Sequence, residues 1–154
     1  MGIEKVRNYF TEFGIEDRVL EFDSSSATVE LAAKALGCKE EHIAKSLTFK
    51  LDDKVILIVT AGDAKINNAK FKNTFKQKAK MLKVDELPSL VGFSVGGVCP
   101  FGVNEDVLVY LDTSLKRFTY VYPACGSSNS AIKLTLEELE KYSNFISYVD
   151  VCTF

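Results

Sequence analysis

Ile43-Ala44-Lys45-Ser46-Leu47-Thr48-Phe49-Lys50-Leu51 is followed by Asp52-Asp53 and then by Lys54-Val55-Ile56-Leu57-Ile58-Val59-Thr60, and the reading of this stretch decides the fold. Alternate residues of a strand share a face. Leu47, Phe49 and Leu51 therefore point inward together, while Thr48 and Lys50 point out. The pair of aspartates signals a turn. The continuous apolar run after it is the signature of a central strand covered on both faces. A short helical turn near Glu40–Ala44 feeds the first strand. Two strands joined by a tight turn, the second wholly apolar, predict a sheet at the centre of the molecule.

Around this hairpin the pattern alternates irregularly. Ile3, Val6, Tyr9, Phe10 and Phe13 repeat at helical spacing, with Gly14 as a stop. Val19–Phe22 reads as a short strand. Thr28 is placed to cap a helix over Val29–Leu36 that ends at Gly37. Asn67–Lys80 reads as a helix, Met81–Val84 as a strand, and Asp85–Leu90 as a helical turn. Val107–Leu111 and Phe118–Tyr122 are two β-rich runs whose link, Asp112–Arg117, suggests an antiparallel pair. Thr135-Leu136-Glu137-Glu138 matches a capping box opening a helix to Tyr142, and Ile146–Val151 reads as a last strand. No repeat, linker or low-complexity segment interrupts residues 1–154. The expected architecture is a single mixed α/β domain, a mixed sheet with helices packed around it.

Composition narrows the functional classes. The chain has 154 residues, is 47% hydrophobic and carries a formal net charge of −2. That apolar share supports a packed core and rules out intrinsic disorder. The run Val55–Val59 stops at five residues, far short of the roughly 18–20 a membrane-spanning helix needs. The N-terminal residues have no apolar signal-peptide core. Slight acidity argues against a protein that binds nucleic acid over its whole surface, and no DNA partner is expected. Cys38, Cys99, Cys125 and Cys152 form no CxxC pair, so free thiols in a reducing cytoplasm are the reading, with no zinc site. His42 is the only histidine and falls in the polar run Lys39-Glu40-Glu41-His42, where a solvated side chain is expected. Histidine-based nucleophilic catalysis is thereby nearly excluded.

Two motifs carry the remaining signal. Lys45 has the inward parity of Leu47 and Phe49. Either the strand starts at Ser46 and Lys45 caps the preceding turn, or a cation stands at the mouth of a pocket, ready for a carbonyl oxygen, a ribose hydroxyl or a phosphate. The second motif is Gly92-Phe93-Ser94-Val95-Gly96-Gly97-Val98-Cys99-Pro100-Phe101-Gly102, with four glycines in eleven residues. Such a loop serves as a tight turn between strands, or aims backbone N–H groups at an oxygen that gains charge during acyl transfer. It matches neither GxGxxG nor a P-loop, and no cofactor is called for. Cys99 has no histidine to activate it and is read as pocket lining; a cysteine-dependent hydrolase is the weaker alternative.

Taken together, Ile43-Ala44-Lys45-Ser46-Leu47, the turn Val59-Thr60-Ala61-Gly62-Asp63, the loop Gly96-Gly97-Val98-Cys99-Pro100-Phe101-Gly102 and the strand end Leu111-Asp112 resemble the YbaK/EbsC family. This is the stand-alone relative of the editing domain inserted in bacterial prolyl-tRNA synthetases, and the likeness covers roughly residues 20–140. The resemblance implies a mixed α/β fold with a central barrel-like sheet. It also implies hydrolysis of the ester joining a wrong amino acid (Cys, Ala, Ser or Thr) to tRNA, in the cytoplasm and alongside an aminoacyl-tRNA synthetase. The family's lysine falls on Lys45 and its Gly-x-x-x-Pro loop on Gly96–Pro100. Ser46 stands where some members carry Asn or Thr, and Pro123–Ser130 departs from the Ser-Gly-Gly form of cysteine-specific members.

On this reading, backbone N–H groups of Gly96, Gly97 and Val98 hold the ester carbonyl and Lys45 fixes the terminal adenosine or that carbonyl. Water then attacks with help from the substrate's ribose hydroxyl. Ser46, Cys99, Pro100, Ser127, Ser128 and Asn129 are candidate pocket linings, although the last three equally suit a self-satisfied turn. Between Asp63 and Asp85 there is no acid but seven lysines, and in a helix Lys72, Lys76 and Lys80 form a row able to follow tRNA phosphates. A non-catalytic module binding tRNA or a synthetase is the other function such a chain would serve.

Overall fold

The computed structural model describes residues 2–154. Along the chain run α1 (Gly2–Thr11), β1 (Leu20–Glu21), α2 (Val29–Leu36), β2 (Ile43–Leu51), β3 (Lys54–Ala61), β4 (Lys65–Ile66) and α3 (Asn68–Phe75). There follow α4 (Leu87–Leu90), β5 (Val107–Asp112), β6 (Tyr120–Pro123), β7 (Ser130–Ala131), β8 (Leu134–Thr135), α5 (Leu136–Ser143), β9 (Tyr148–Val149) and β10 (Cys152–Thr153). The main sheet has the order β8-β6-β2-β3-β5-β9 and curls into a half-barrel. β1 pairs with β7, and β4 with β10, as two small satellites.

β3 is central, as its apolar run requires. Ile56, Leu57, Ile58 and Val59 are fully buried, each gaining about 1.5–3 kcal/mol over an exposed position. β2 pairs with it antiparallel from Leu51↔Lys54 to Ala44↔Ala61, with Asp52 at φ 38° in the turn. The caps read from the sequence are present. Thr28 accepts from the Leu31 N–H, and Gly37 closes α2 at φ 68°. Thr135 and Glu138 form the capping box of α5.

Four expectations are corrected. β5 and β6 do not pair with each other. β3 is apolar on both faces and needs a partner on each edge, and β5 takes the open one in parallel register, Val55↔Val107 to Val59↔Leu111. The 3₁₀ turn Thr113–Arg117 then carries the chain away, and β6 joins the far edge of β2, parallel at Ile43↔Tyr122 and Ala44↔Pro123. The helix expected over 67–80 ends at Phe75, where Lys76 turns left-handed at φ 62°. Gln77 instead exchanges hydrogen bonds with Asp52 across the β2–β3 turn. Residues 80–82 run extended against β2, with Lys50 N–H bonded to Lys80 O and Leu82 N–H to Thr48 O, so the strand expected at Met81–Val84 reduces to one bridge, Met81↔Phe49. The last strand shrinks to β9, because Asp112 captures the Val151 N–H just beyond it.

Asp112 is fully buried and accepts from Ser114 N–H at 2.8 Å and Val151 N–H at 2.9 Å. It ties the end of β5, the following turn and the C-terminal segment together. Asp112→Ala leaves two buried donors without partners and is expected to lower the unfolding free energy by about 3 kcal/mol in urea titration. An unchanged midpoint would contradict this role.

Candidate active site

β2 begins at Ile43, inside the 3₁₀ turn's exit, so Lys45 is a strand residue and not a cap. It lines a cleft of about 390 Å³ bounded by α2, β2, the segment Met81–Leu87 and the Val95–Val98 bend. The Lys45 ammonium is half-buried. It donates to Gly62 O at 3.3 Å and to Ala64 O at 2.5 Å, both in the turn after β3. An ammonium has three N–H donors, so one is left for a ligand. Burial pushes its pKa down; Lys65 pushes the same way, while Cys152 and Asp63 oppose. The turn itself is braced. Ser114 Oγ accepts from Ala61 N–H, and Arg117 grips Asp63 in a bidentate pair at 2.6 and 3.0 Å.

The cleft is apolar where Ala32, Ile43, Leu47 and Tyr122 wall it, and polar at Ser26, Thr28 and Ser130. Met81, Val84 and Val95 stand more than half exposed at its rim. Of the residues expected from the sequence, Lys45, Ser46, Gly96 and Val98 line it together. Gly96 has φ 87°, and a Cβ there would crowd Ala27 and Ser128 at 3.2 Å, so only glycine lets the bend approach α2's entry.

The other expected residues lie elsewhere. The Gly97 N–H is committed to Ser94 O, and a Cβ on Gly97 would strike the Gly126 backbone at 2.6 Å; it is a packing glycine, not a donor to the cleft. Cys99 is fully buried in the core with its thiol on Phe101 O, and burial pushes its pKa up to about 12. A thiol sealed in the core, outside the cleft lining, is out of reach of an ester there and speaks against a cysteine hydrolase. Pro100 faces a separate small cleft beside Tyr9 and Val107. Ser127, Ser128 and Asn129 are spent on one another and on the segment after β1: Ser127 Oγ donates to Asn129 Oδ1, Asn129 Nδ2 donates to Phe22 O, and Ser128 O accepts from Ser26 N–H. Their neighbour Ser130, with Ser26 and Thr28, lines the cleft in their place. Nothing marked these in the sequence beyond loop composition. Lys72, Lys76 and Lys80 share no helical row, since α3 stops before Lys76. His42 is partly covered rather than solvated, packed between Phe118 and Tyr120 with Nδ1 3.2 Å from Tyr120 O.

Comparison with known proteins follows this geometry. A family model described as the aminoacyl-tRNA editing domain matches residues 23–142, a span holding Lys45 and the glycine loop. The chain belongs to the aminoacyl-tRNA editing domain family. Membership puts it among editing enzymes, the class implied by the YbaK/EbsC resemblance. An uncharacterized protein of Bacillus subtilis, YwhH, is 53% identical over 99% of this chain and 98% of its own length. The proline–tRNA ligase of a Geobacillus strain is 30% identical over 80% of this chain, which spans only 22% of that ligase. Among solved structures, a proposed trans-editing enzyme for prolyl tRNA synthetase superposes with a TM-score of 0.88 at 25% identity, covering 99% and 98% of the two chains. A hypothetical protein, APE2540, superposes at 0.79 and 27% identity, covering 93% and 99%.

The buried thiols of this editing domain contribute to its alkaline behaviour. Burial raises Cys99 and Cys152 to about 12. The fold therefore holds their protons more tightly than the unfolded chain does. Their contribution is intact below the ordinary thiol value of 9.0 and is lost as pH climbs towards 12. Lys45 acts oppositely, since its lowered pKa makes stability rise as pH approaches the ordinary lysine value of 10.5. Urea titrations across this range are expected to show a net decline that is shallower in Cys99→Ala; equal slopes would contradict the assignment.

Proposed function

We propose that the chain is a trans-acting editing hydrolase, cleaving the ester between a small non-cognate amino acid (Cys, Ala, Ser or Thr) and the 3′ end of tRNA. The relatives that carry the domain within proline–tRNA ligases, and the neighbour proposed to edit for prolyl tRNA synthetase, support tRNA charged by that synthetase as the substrate. The chain would then act in the cytoplasm, beside the synthetase. Among the described residues no helix is long and apolar enough to cross a membrane.

The observation that carries this reading is Lys45, a residue of the cleft lining whose ammonium is held by two carbonyls with one donor unused. An aminoacyl ester is already activated, so catalysis needs placement and charge stabilisation more than a strong nucleophile. The ester carbonyl would sit at the Gly96–Val98 bend, where Gly97 N–H is spent internally and the flanking N–H groups have no backbone partner among the described residues. Lys45 would hold the terminal ribose or the carbonyl oxygen. Water adds to the carbonyl carbon, the bond from that carbon to the ribose 3′ oxygen breaks, and the ribose 2′-hydroxyl relays the water's proton to the departing oxygen. The products are free amino acid and intact tRNA. Small walls and the serines on one side would sort side chains by size and polarity; a single methylene is worth only about 1–3 kcal/mol in such a pocket.

Lys72, Lys76 and Lys80 would meet tRNA phosphates without forming a row. The segment that carries Lys76 and Lys80 continues into Met81 and Val84 at the cleft rim, so a strand of RNA leaving the cleft passes this basic ground. Against tRNAs mischarged with Cys, Ala, Ser or Thr, the parent protein is expected to turn over at least one. Lys45→Ala should lose about a hundredfold or more in kcat/KM while still unfolding in a single cooperative transition. Glu at 72, 76 and 80 together should raise KM for tRNA and spare an aminoacyl-ester mimic. Binding without turnover would favour a non-catalytic module, and near-parent rates in Lys45→Ala would reject the mechanism.

A further inference from the structure

The edge of β2 that faces the cleft is interrupted. β6 pairs with it only at Ile43 and Ala44. The segment 80–82 takes up pairing again at Thr48 and Lys50, through Leu82 N–H to Thr48 O and Lys50 N–H to Lys80 O. Along a strand, the N–H and C=O of one residue point to the same side and alternate with those of the next. Thr48 O and Lys50 N–H point to this edge, so the Ser46 N–H and C=O point there too. They fall in the gap, where neither neighbour reaches. In the β2–β3 ladder Ser46 sits opposite Val59, in a position whose backbone groups turn away from β3.

A second observation falls on the same residue. Ser46 Oγ is buried with no hydrogen-bond partner among the described residues, and Ser46 lines the cleft. Unmet polar groups shielded from water are costly and rare in folded proteins. Here the hydroxyl is such a group, and it belongs to the residue whose N–H and C=O face the break in the sheet edge. Leu82 and Ala124 close the gap at its two ends, and both line the cleft.

We propose that Ser46 positions the substrate through its main chain, pairing with the aminoacyl group as one residue of an added antiparallel strand. The Ser46 N–H donates to the ester carbonyl oxygen, and the Ser46 C=O accepts from the α-ammonium. This rests on the editing reading above and deepens it. An α-amino acid ester carries an acceptor and a donor in the arrangement of a strand residue, so the pairing reproduces a hydrogen-bonded pair of a ladder. The carbonyl oxygen has two lone pairs and can take the Ser46 N–H on one side and the Gly96–Val98 bend on the other. The contact reads only what all amino acids share. Selection among side chains is left to the cleft walls.

The test has two arms. In the first, the parent protein is given alanyl and propionyl esters of adenosine, each rate being divided by that ester's spontaneous hydrolysis. The propionyl ester lacks the ammonium and is expected to be cut about tenfold to a hundredfold less efficiently. In the second, Ser46→Pro removes an N–H that serves no ladder bond, a substitution that strand edges accept. It is expected to lose about tenfold or more in kcat/KM for the alanyl ester, and several-fold more than Ser46→Ala, which keeps both main-chain groups. Parent protein inert on every aminoacyl ester would sink the editing reading itself. Parent protein active, with equal corrected rates on the two esters, would overturn the Ser46 inference even if the proline variant fails to fold. A folded Ser46→Pro matching Ser46→Ala would overturn it as well.

Discussion

An ammonium held inside a β-sheet organises this molecule. Lys45 is on the face of β2 that also carries Leu47 and Phe49, and a bare charge there would be prohibitive. The turn after β3 answers it with the carbonyls of Gly62 and Ala64. That turn is fastened in its own right by Ser114, by the Arg117–Asp63 pair, and through β4 to the C-terminal strand. Asp112 in turn orders the segment carrying Ser114. The cation, the turn and the buried carboxylate form one braced unit, and Lys45 joins it to the lining of the cleft. The brace is preorganisation in a physical sense: the donor is in place before any substrate arrives.

The cleft exists because the sheet is incomplete. β6 leaves β2 after two residues and the extended segment following α3 returns only at Thr48. Between them, apolar walls, a glycine bend, an unpaired strand edge and Lys45 line the opening. A closed barrel with the same residues would have no such opening. On the proposed mechanism the architecture would supply the cationic donor from inside the sheet and backbone donors from its torn edge. No histidine or thiolate is needed for hydrolysis of an ester that is already activated, and His42 and Cys99 are both spent on packing.

The central hairpin was legible in the sequence because its signal is local: alternation in β2, an apolar run in β3 and a pair of aspartates between them. Caps at Thr28 and Thr135 were legible for the same reason. The parity of Lys45 placed it on the inward face, although only coordinates distinguish a strand residue from a cap. What was not legible depends on contacts distant in sequence. The parallel seat of β5 beside β3 follows from competition for an open edge, which no short window records. α3 ends early because Gln77 finds Asp52 and the chain beyond it finds β2. The loop Ser127–Asn129 has the composition of a binding loop, yet Ser127 bonds Asn129 and Ser130, Asn129 bonds Phe22 O, and the adjacent Ser130 lines the cleft. Ser46 was singled out only as a lining residue; the gap that makes its backbone available is a property of three segments at once.

The most direct test is a crystal structure of the protein with an adenosine whose 3′ ester is replaced by a stable alanyl amide. The account predicts the aminoacyl group inside the cleft, its carbonyl oxygen within about 3.2 Å of a backbone N–H at Ser46 or the Gly96–Val98 bend, and the Lys45 ammonium in contact with the ribose or that carbonyl. An aminoacyl group seated outside the cleft, with Lys45 still turned only to Gly62 and Ala64, would contradict it.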